Sequence, residues 1–232
     1  MKFHPALLLA AVCVIAASSS NAQTLNWGGQ VGDVMTDSEG NLLDETFTFE
    51  LGAFVSGFVP GEHAASEWLA NWRVFDYGSF NATLGYVTGS VFILNDVTSS
   101  NTSASQQSFA GLVAYLWVRD NDEPVPGSEW LLVRSGDPDD AWTFPTTGGD
   151  CCSTEVIEWA ISDLNPDTGN PLEPKDVPVW GRQNNVLGYG SYTPGTTGTP
   201  GLQTFTFVPE PSTALLAAIA GLGVVLRRRR NA

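Results

Sequence analysis

Basic residues are scarce away from the ends of this 232-residue chain. Between residues 23 and 211 only Arg73, Arg119, Arg134, Lys175 and Arg182 are basic, against all 25 acidic residues, a net charge of −20. Such a surface repels nucleic acid and anionic lipid, so no nucleic-acid partner is expected. It suits a soluble protein outside the cell, and it offers carboxylates to divalent cations. Histidine is almost missing as well: after His4 there is only His63. A Ser-His-Asp site would have to use that residue, and nothing near it resembles a nucleophile elbow. Metal ligation by several histidines is excluded. Cysteine is confined to Cys13, in an apolar N-terminal run, and the adjacent pair Cys151 and Cys152. No second ligand pair stands at zinc spacing. A disulfide between Cys151 and Cys152 would close a tiny ring and add little chain-entropy stabilisation. Two free thiols or an intermolecular bridge are the alternatives.

The two ends carry a different composition. Met1, Lys2, Phe3 and His4 precede an apolar run over residues 6–17, and small residues Ser20 and Ala22 stand just before Gln23. A charge, a short apolar run and a small-residue cut site predict a secretory signal peptide over 1–22, removed by signal peptidase. The run is too short to span a membrane stably. At the other end Pro209, Glu210 and Pro211 are followed by an uncharged apolar stretch over 213–226, then by Arg227, Arg228, Arg229 and Arg230. Pro211 suits a helix start, where its missing N–H would be unpaired anyway. The 15 residues from Ser212 to Leu226 make roughly 22 Å of helix against a hydrocarbon core of roughly 30 Å. Snorkelling arginine stems narrow that gap. The positive-inside rule keeps the arginines in the cytoplasm and puts the preceding domain outside.

Motif, apolar helix and arginine cluster, in that order, resemble the PEP-CTERM sorting signal, with the name-giving triplet at Pro209, Glu210 and Pro211. The resemblance covers residues 209–232 and no more. It implies recognition by an exosortase, a transpeptidase-like cysteine enzyme of the membrane. It also implies cleavage near the motif, with release or attachment at the cell surface. Proteins with such tails often occur in bacteria that make exopolysaccharide. A plain C-terminal anchor, never processed, is the alternative.

The part between, residues 23–208, has a length that suits one domain with a core of its own. It reads as all-β. Residues 46–51 alternate, and 73–77, 82–87 and 90–94 are short aromatic and β-branched runs split by glycine. Residues 112–119 form a mostly apolar run that suits a central strand. Residues 129–134 pair with it as a hairpin, and 155–161 and 202–208 are further candidates. The 24 glycines and 14 prolines argue against long helices; residues 62–72 are one place for a helical turn. Regular short strands between turn residues predict a β-sandwich or jelly roll. Residues 192–201 read as a flexible loop.

Three constellations are candidates for chemistry. Asp163, Asn165 and Asp167 place oxygens at alternate positions, as the start of an Asp-x-Asn-x-Asp calcium loop does. The pattern departs from an EF-hand at its glycine, proline and terminal acid, and a plain Asp/Asn/Pro/Gly turn has the same composition. No cofactor is expected, calcium being the one alternative for which the residues offer ligands. Eight tryptophans either fill an all-β core or stack on sugar rings. Trp117 and Trp159 sit in apolar strand patterns; Trp142 and Trp180 lie beside loops and are the candidate carbohydrate-binding pair. Paired carboxylates would serve a glycoside hydrolase, but so many acids select no pair. The expectation is a non-catalytic surface or extracellular-matrix protein associated with exopolysaccharide and biofilm. The alternatives are a carbohydrate-binding module stabilised by calcium and, third, a carboxylate-dependent hydrolase.

Overall fold

The computed structural model describes residues 23–31, 33–94, 96–101, 108–135, 142–146, 156–164, 178–184, 186–193 and 201–208. The expected signal peptide and sorting segment lie outside them. The architecture is mostly β. Eight strands form one curled, half-barrel sheet. In chain order they are β1 (Gln23–Gly28), β3 (Thr48–Phe54), β4 (Trp72–Asn81), β5 (Tyr86–Ile93), β6 (Tyr115–Arg119), β7 (Glu129–Val133), β8 (Val156–Ala160) and β12 (Phe205–Thr206). A small sheet joins β2 (Met35–Thr36), β9 (Arg182–Gln183), β10 (Val186–Leu187) and β11 (Leu202–Gln203). One short helix, α1 (Ala65–Asn71), precedes β4. Where a sandwich predicts two facing sheets of similar weight, the described residues put most of the pairing into a single sheet that curls on itself.

The spatial order of the large sheet is β12-β7-β6-β3-β4-β5-β1-β8. Every neighbouring pair is antiparallel except β1 and β8, where Thr24 faces Val156 and Trp27 faces Trp159 in parallel register. The hairpin expected around Trp117 and Trp130 is β6–β7, with Arg119 opposite Trp130. β6 lies second from the middle, between β3 and β7, and four of its five residues are buried. Its continuous apolar run is therefore what burial on both faces requires.

One face carries the main core: Leu25, Trp27, Phe49, Leu51, Val87, Val91, Leu116, Val118 and Leu131, closed by Phe109, Trp142, Phe144 and Trp159. We call it the inner face. Strands β4 and β5 run through glycines that the sequence reads as breaks. Both glycines make room for Trp27. A Cβ on Gly78 would lie 2.7 Å from the Trp27 ring, and one on Gly89 would lie 2.0 Å from its Nε1.

The outer face carries a second cluster on its β3-β6-β7 half. Trp68 from α1 lies over Trp117, Trp130 and Trp180 at centroid distances of 6.2, 6.1 and 6.0 Å. Phe54 and Trp72 complete it. Each large aromatic ring buries about 150–250 Å², on the order of 4–6 kcal/mol before conformational entropy is set against it. Trp68 Nε1 donates to the carbonyl of Pro60 at 3.0 Å, so the indole is buried without an orphan donor. The cluster explains why so short a helix persists: it is held by one packed side chain rather than by its own propensity.

Glu129, at the start of β7, ties the two sheets together. Its carboxylate accepts from the hydroxyl and amide of Ser38, from Thr204 Oγ1 at 2.7 Å and from Thr206 Oγ1 at 3.1 Å.

Candidate functional site

Two carboxylates are buried in the large sheet, and they stand on opposite faces of it. Glu50 of β3 is on the outer face. Its Oε1 accepts from Arg119 Nη2 at 2.8 Å and its Oε2 from Trp72 Nε1 at 2.7 Å. Arg119 also donates from Nε to Asp122 at 3.1 Å. Burial pushes the Glu50 carboxyl above the usual glutamate range, and the Arg119 cation pulls against it. Asp76 of β4 is on the inner face, opposite Leu51. It accepts from Trp27 Nε1 at 2.8 Å and from Asn101 Nδ2 at 2.7 Å. The sheet separates the two acids, and each is occupied by the donors that hold it. His63 stacks on Phe58 at 4.2 Å and lies 3.4 Å from Glu67, at the surface beside α1 rather than beside either buried acid.

The other half of the outer face has no cover among the described residues. From the end of β4 through β5 and β1 to β8, alternate side chains point outward. Register sets them in rows: Ser79 beside Thr88, Ser90 beside Asn26, and Asn26 beside Glu158. Ser90 Oγ donates to Asn26 Oδ1 at 2.9 Å. Two shallow depressions, each about 380 Å³, lie here. One is lined by Asn26, Gly28, Glu158 and Ala160, the other by Ser79, Asn81 and Tyr86, and Thr88 belongs to both. Tyr77 and Phe92 stand nearby on the same face, 56% and 59% exposed.

The residues singled out in the sequence fall elsewhere. Trp142 and Trp180 are only 3% and 7% exposed. Trp142 stacks on Trp159 at 5.3 Å and Trp180 on Phe207 at 5.6 Å. Both indoles are core, so neither presents a ring face to a sugar. The loop positions are misleading because each tryptophan flanks or forms an isolated bridge, Thr143 with Val113 and Trp180 with Leu132, too short to leave a periodic pattern. Asp163 closes a short 3-10 turn (Ile161–Asp163); Asn165 and Asp167 lie outside the described residues. So do Cys151, Cys152, Pro209, Glu210, Pro211 and Arg227, Arg228, Arg229 and Arg230. Among the described residues no three His, Cys, Asp or Glu side chains form a group able to hold a metal ion. The open neutral face was missed, although the alternation of β5 (polar Thr88 and Ser90 against apolar Val87 and Val91) signals it.

No curated protein and no solved structure matches the chain. Residues 207–230 match the family model described as the PEP-CTERM protein-sorting motif. That match contains the Pro-Glu-Pro triplet, the apolar stretch and the arginine cluster together. It implies an exported, cell-surface protein that is processed by exosortase. The chain thus carries, at residues 207–230, the sorting motif of the PEP-CTERM proteins.

Proposed function

We propose that the domain over residues 23–208 is a non-catalytic protein of the cell surface or extracellular matrix, associated with exopolysaccharide and biofilm. The sorting motif at residues 207–230 carries this reading. In it, the N-terminal signal peptide is removed and the C-terminal helix holds the chain in the inner membrane until exosortase cuts near Pro209, Glu210 and Pro211. The remaining domain, strongly acidic, stays soluble and repels anionic surfaces. Glu50 and Asp76, on opposite faces and each held by structural donors, do not make the pair of carboxyl groups facing one bond that a hydrolase needs.

Mass spectrometry of the intact protein from the cell surface and medium tests this. The expected form begins at Gln23 and ends near residues 209–212, and it co-fractionates with extracellular polysaccharide. A surface form that keeps Arg227 to Arg230 would mean a simple membrane anchor. A processed form found free of polysaccharide would remove the matrix association.

A further inference from the structure

We propose that the outer face of β4, β5, β1 and β8, which no described residue covers, is a binding platform for an uncharged polysaccharide, seated in the two adjoining depressions that share Thr88. The inference deepens the matrix reading and rests on it, since it names the polymer class and the surface that would receive it.

Taken together as one trough, the two depressions cross four adjacent strands. Three inter-strand spacings make it roughly 14 Å long, enough for a short run of sugar rings. Its shape follows from the sequence. Gly28 and Ala160 give it a low floor between the taller side chains of Asn26, Glu158 and Thr88. Its polar groups are hydroxyl, amide and carboxylate at sheet spacing, Ser79, Asn81, Thr88, Asn26 and Glu158, and Trp27, Trp159 and Phe80 also line it. The hydroxyl and amide groups both donate and accept, as the hydroxyls of a sugar do, and the Glu158 carboxylate accepts. Exposed Tyr77 and Phe92 stand on the same face, two residues along their strands from Ser79 and Ser90. Large exposed rings on an otherwise polar surface mark a contact site, and a flat ring suits the C–H face of a pyranose.

Charge selects the polymer. The exported part carries a net −20, yet the outward side chains of this face are neutral apart from Glu158, with Glu45 at the far end of the trough. The rest of the surface repels a polyanion, while an uncharged chain meets no such barrier. The neutral stretch therefore matches a neutral partner.

Affinity gel electrophoresis of the protein recovered from the cell surface tests the proposal. The gels contain hydroxyethylcellulose, dextran or a galactomannan as neutral polymers, and alginate as the polyanion. Retardation is expected on at least one neutral polymer and not on alginate. Asn26→Ala combined with Thr88→Ala should weaken it about tenfold, and Phe92→Ala should weaken it separately. Leu187→Ala, an exposed site on the small sheet, should leave it unchanged. All substituted positions are at the surface, and an unaltered thermal melt verifies the fold. Absence of retardation on every neutral polymer, equal retardation of the variants, or retardation on alginate would each overturn the proposal. So would a dimer in sedimentation that dissociates in the double variant, which would assign the face to a second copy. A correctly processed, matrix-bound protein that fails on all the gels would reject the platform and leave the sorting and matrix reading standing.

Discussion

Arg119 sits over the indole of Trp117, its guanidinium carbon 4.2 Å from the ring centroid, while its Nη2 reaches Glu50 at 2.8 Å. One arginine thus closes the tryptophan cluster and neutralises a buried acid. The arrangement links hydrophobic packing to charge, and it makes stability sensitive to both.

Stability should depend on the protonation of Glu50. Burial holds its folded pKa above the unfolded value, so the folded state binds the proton more tightly. The resulting contribution is fully present below the unfolded pKa, about 4.3, and is lost as pH rises through the raised folded value. Glu50→Gln removes it. The difference between the urea midpoints of wild type and variant should change between about pH 4 and neutrality. Parallel profiles would refute the role of Glu50.

Arg119→Met should destabilise at neutral pH by about 3–5 kcal/mol, because Glu50 is left buried without its cation. Adding Glu50→Gln should recover much of that loss, since the neutral amide needs no counter-charge. Urea unfolding of the two single variants and the double variant closes the cycle; simple additivity would contradict the coupling.

Gly89→Ala should cost about 1–3 kcal/mol through overpacking. The added methyl meets Trp27 at 2.0 Å, and Trp27 cannot swing away without releasing its bond to Asp76. Ser90→Ala, one residue on and facing outward, should stay within about 0.5 kcal/mol. Thermal melts of both variants make the comparison.

Glu129→Ala removes the shared acceptor of Ser38, Thr204 and Thr206. A loss of about 1–3 kcal/mol is expected, concentrated where the small sheet docks. Hydrogen exchange should accelerate at residues 35–36 and 202–206 before it does in β3 or β6. Uniform acceleration would show that Glu129 has no such local role.

Replacing Pro209 and Pro211 with alanine should block processing. The protein should then remain in the membrane fraction with its arginine tail, as intact mass reports. Unchanged cleavage would place the recognition elsewhere in residues 207–230.

The sequence reveals the fold where pattern and burial agree. Residues 112–119 read as a central strand because burial on both faces needs an unbroken apolar run, and β6 has both. The hairpin to β7 was legible for the same reason. β1 does not read as a strand, since six residues with two buried apolar side chains, Leu25 and Trp27, resemble a loop following a cut site. The runs around Gly78 and Gly89 read as interrupted, because the residue that needs those gaps, Trp27, is remote in sequence. Residues 202–208 read as one strand and form two, β11 and β12, which belong to different sheets on either side of buried Thr204. The sorting motif was legible in full, because it is recognised as a linear segment. The open face was not, because only the pairing of four strands brings its side chains together.

The parallel pairing of β1 with β8 has a consequence for export. Thr24 finds its partner at Val156, and β1 is an interior strand between β5 and β8. The β1 edge of the large sheet cannot be covered until residues 156–160 have crossed the membrane. Contacts so far apart along the chain are slow to form because a long loop must close first. The first strand can pair with β5 once residues 86–93 are out, but its other edge stays open until residues 156–160 follow.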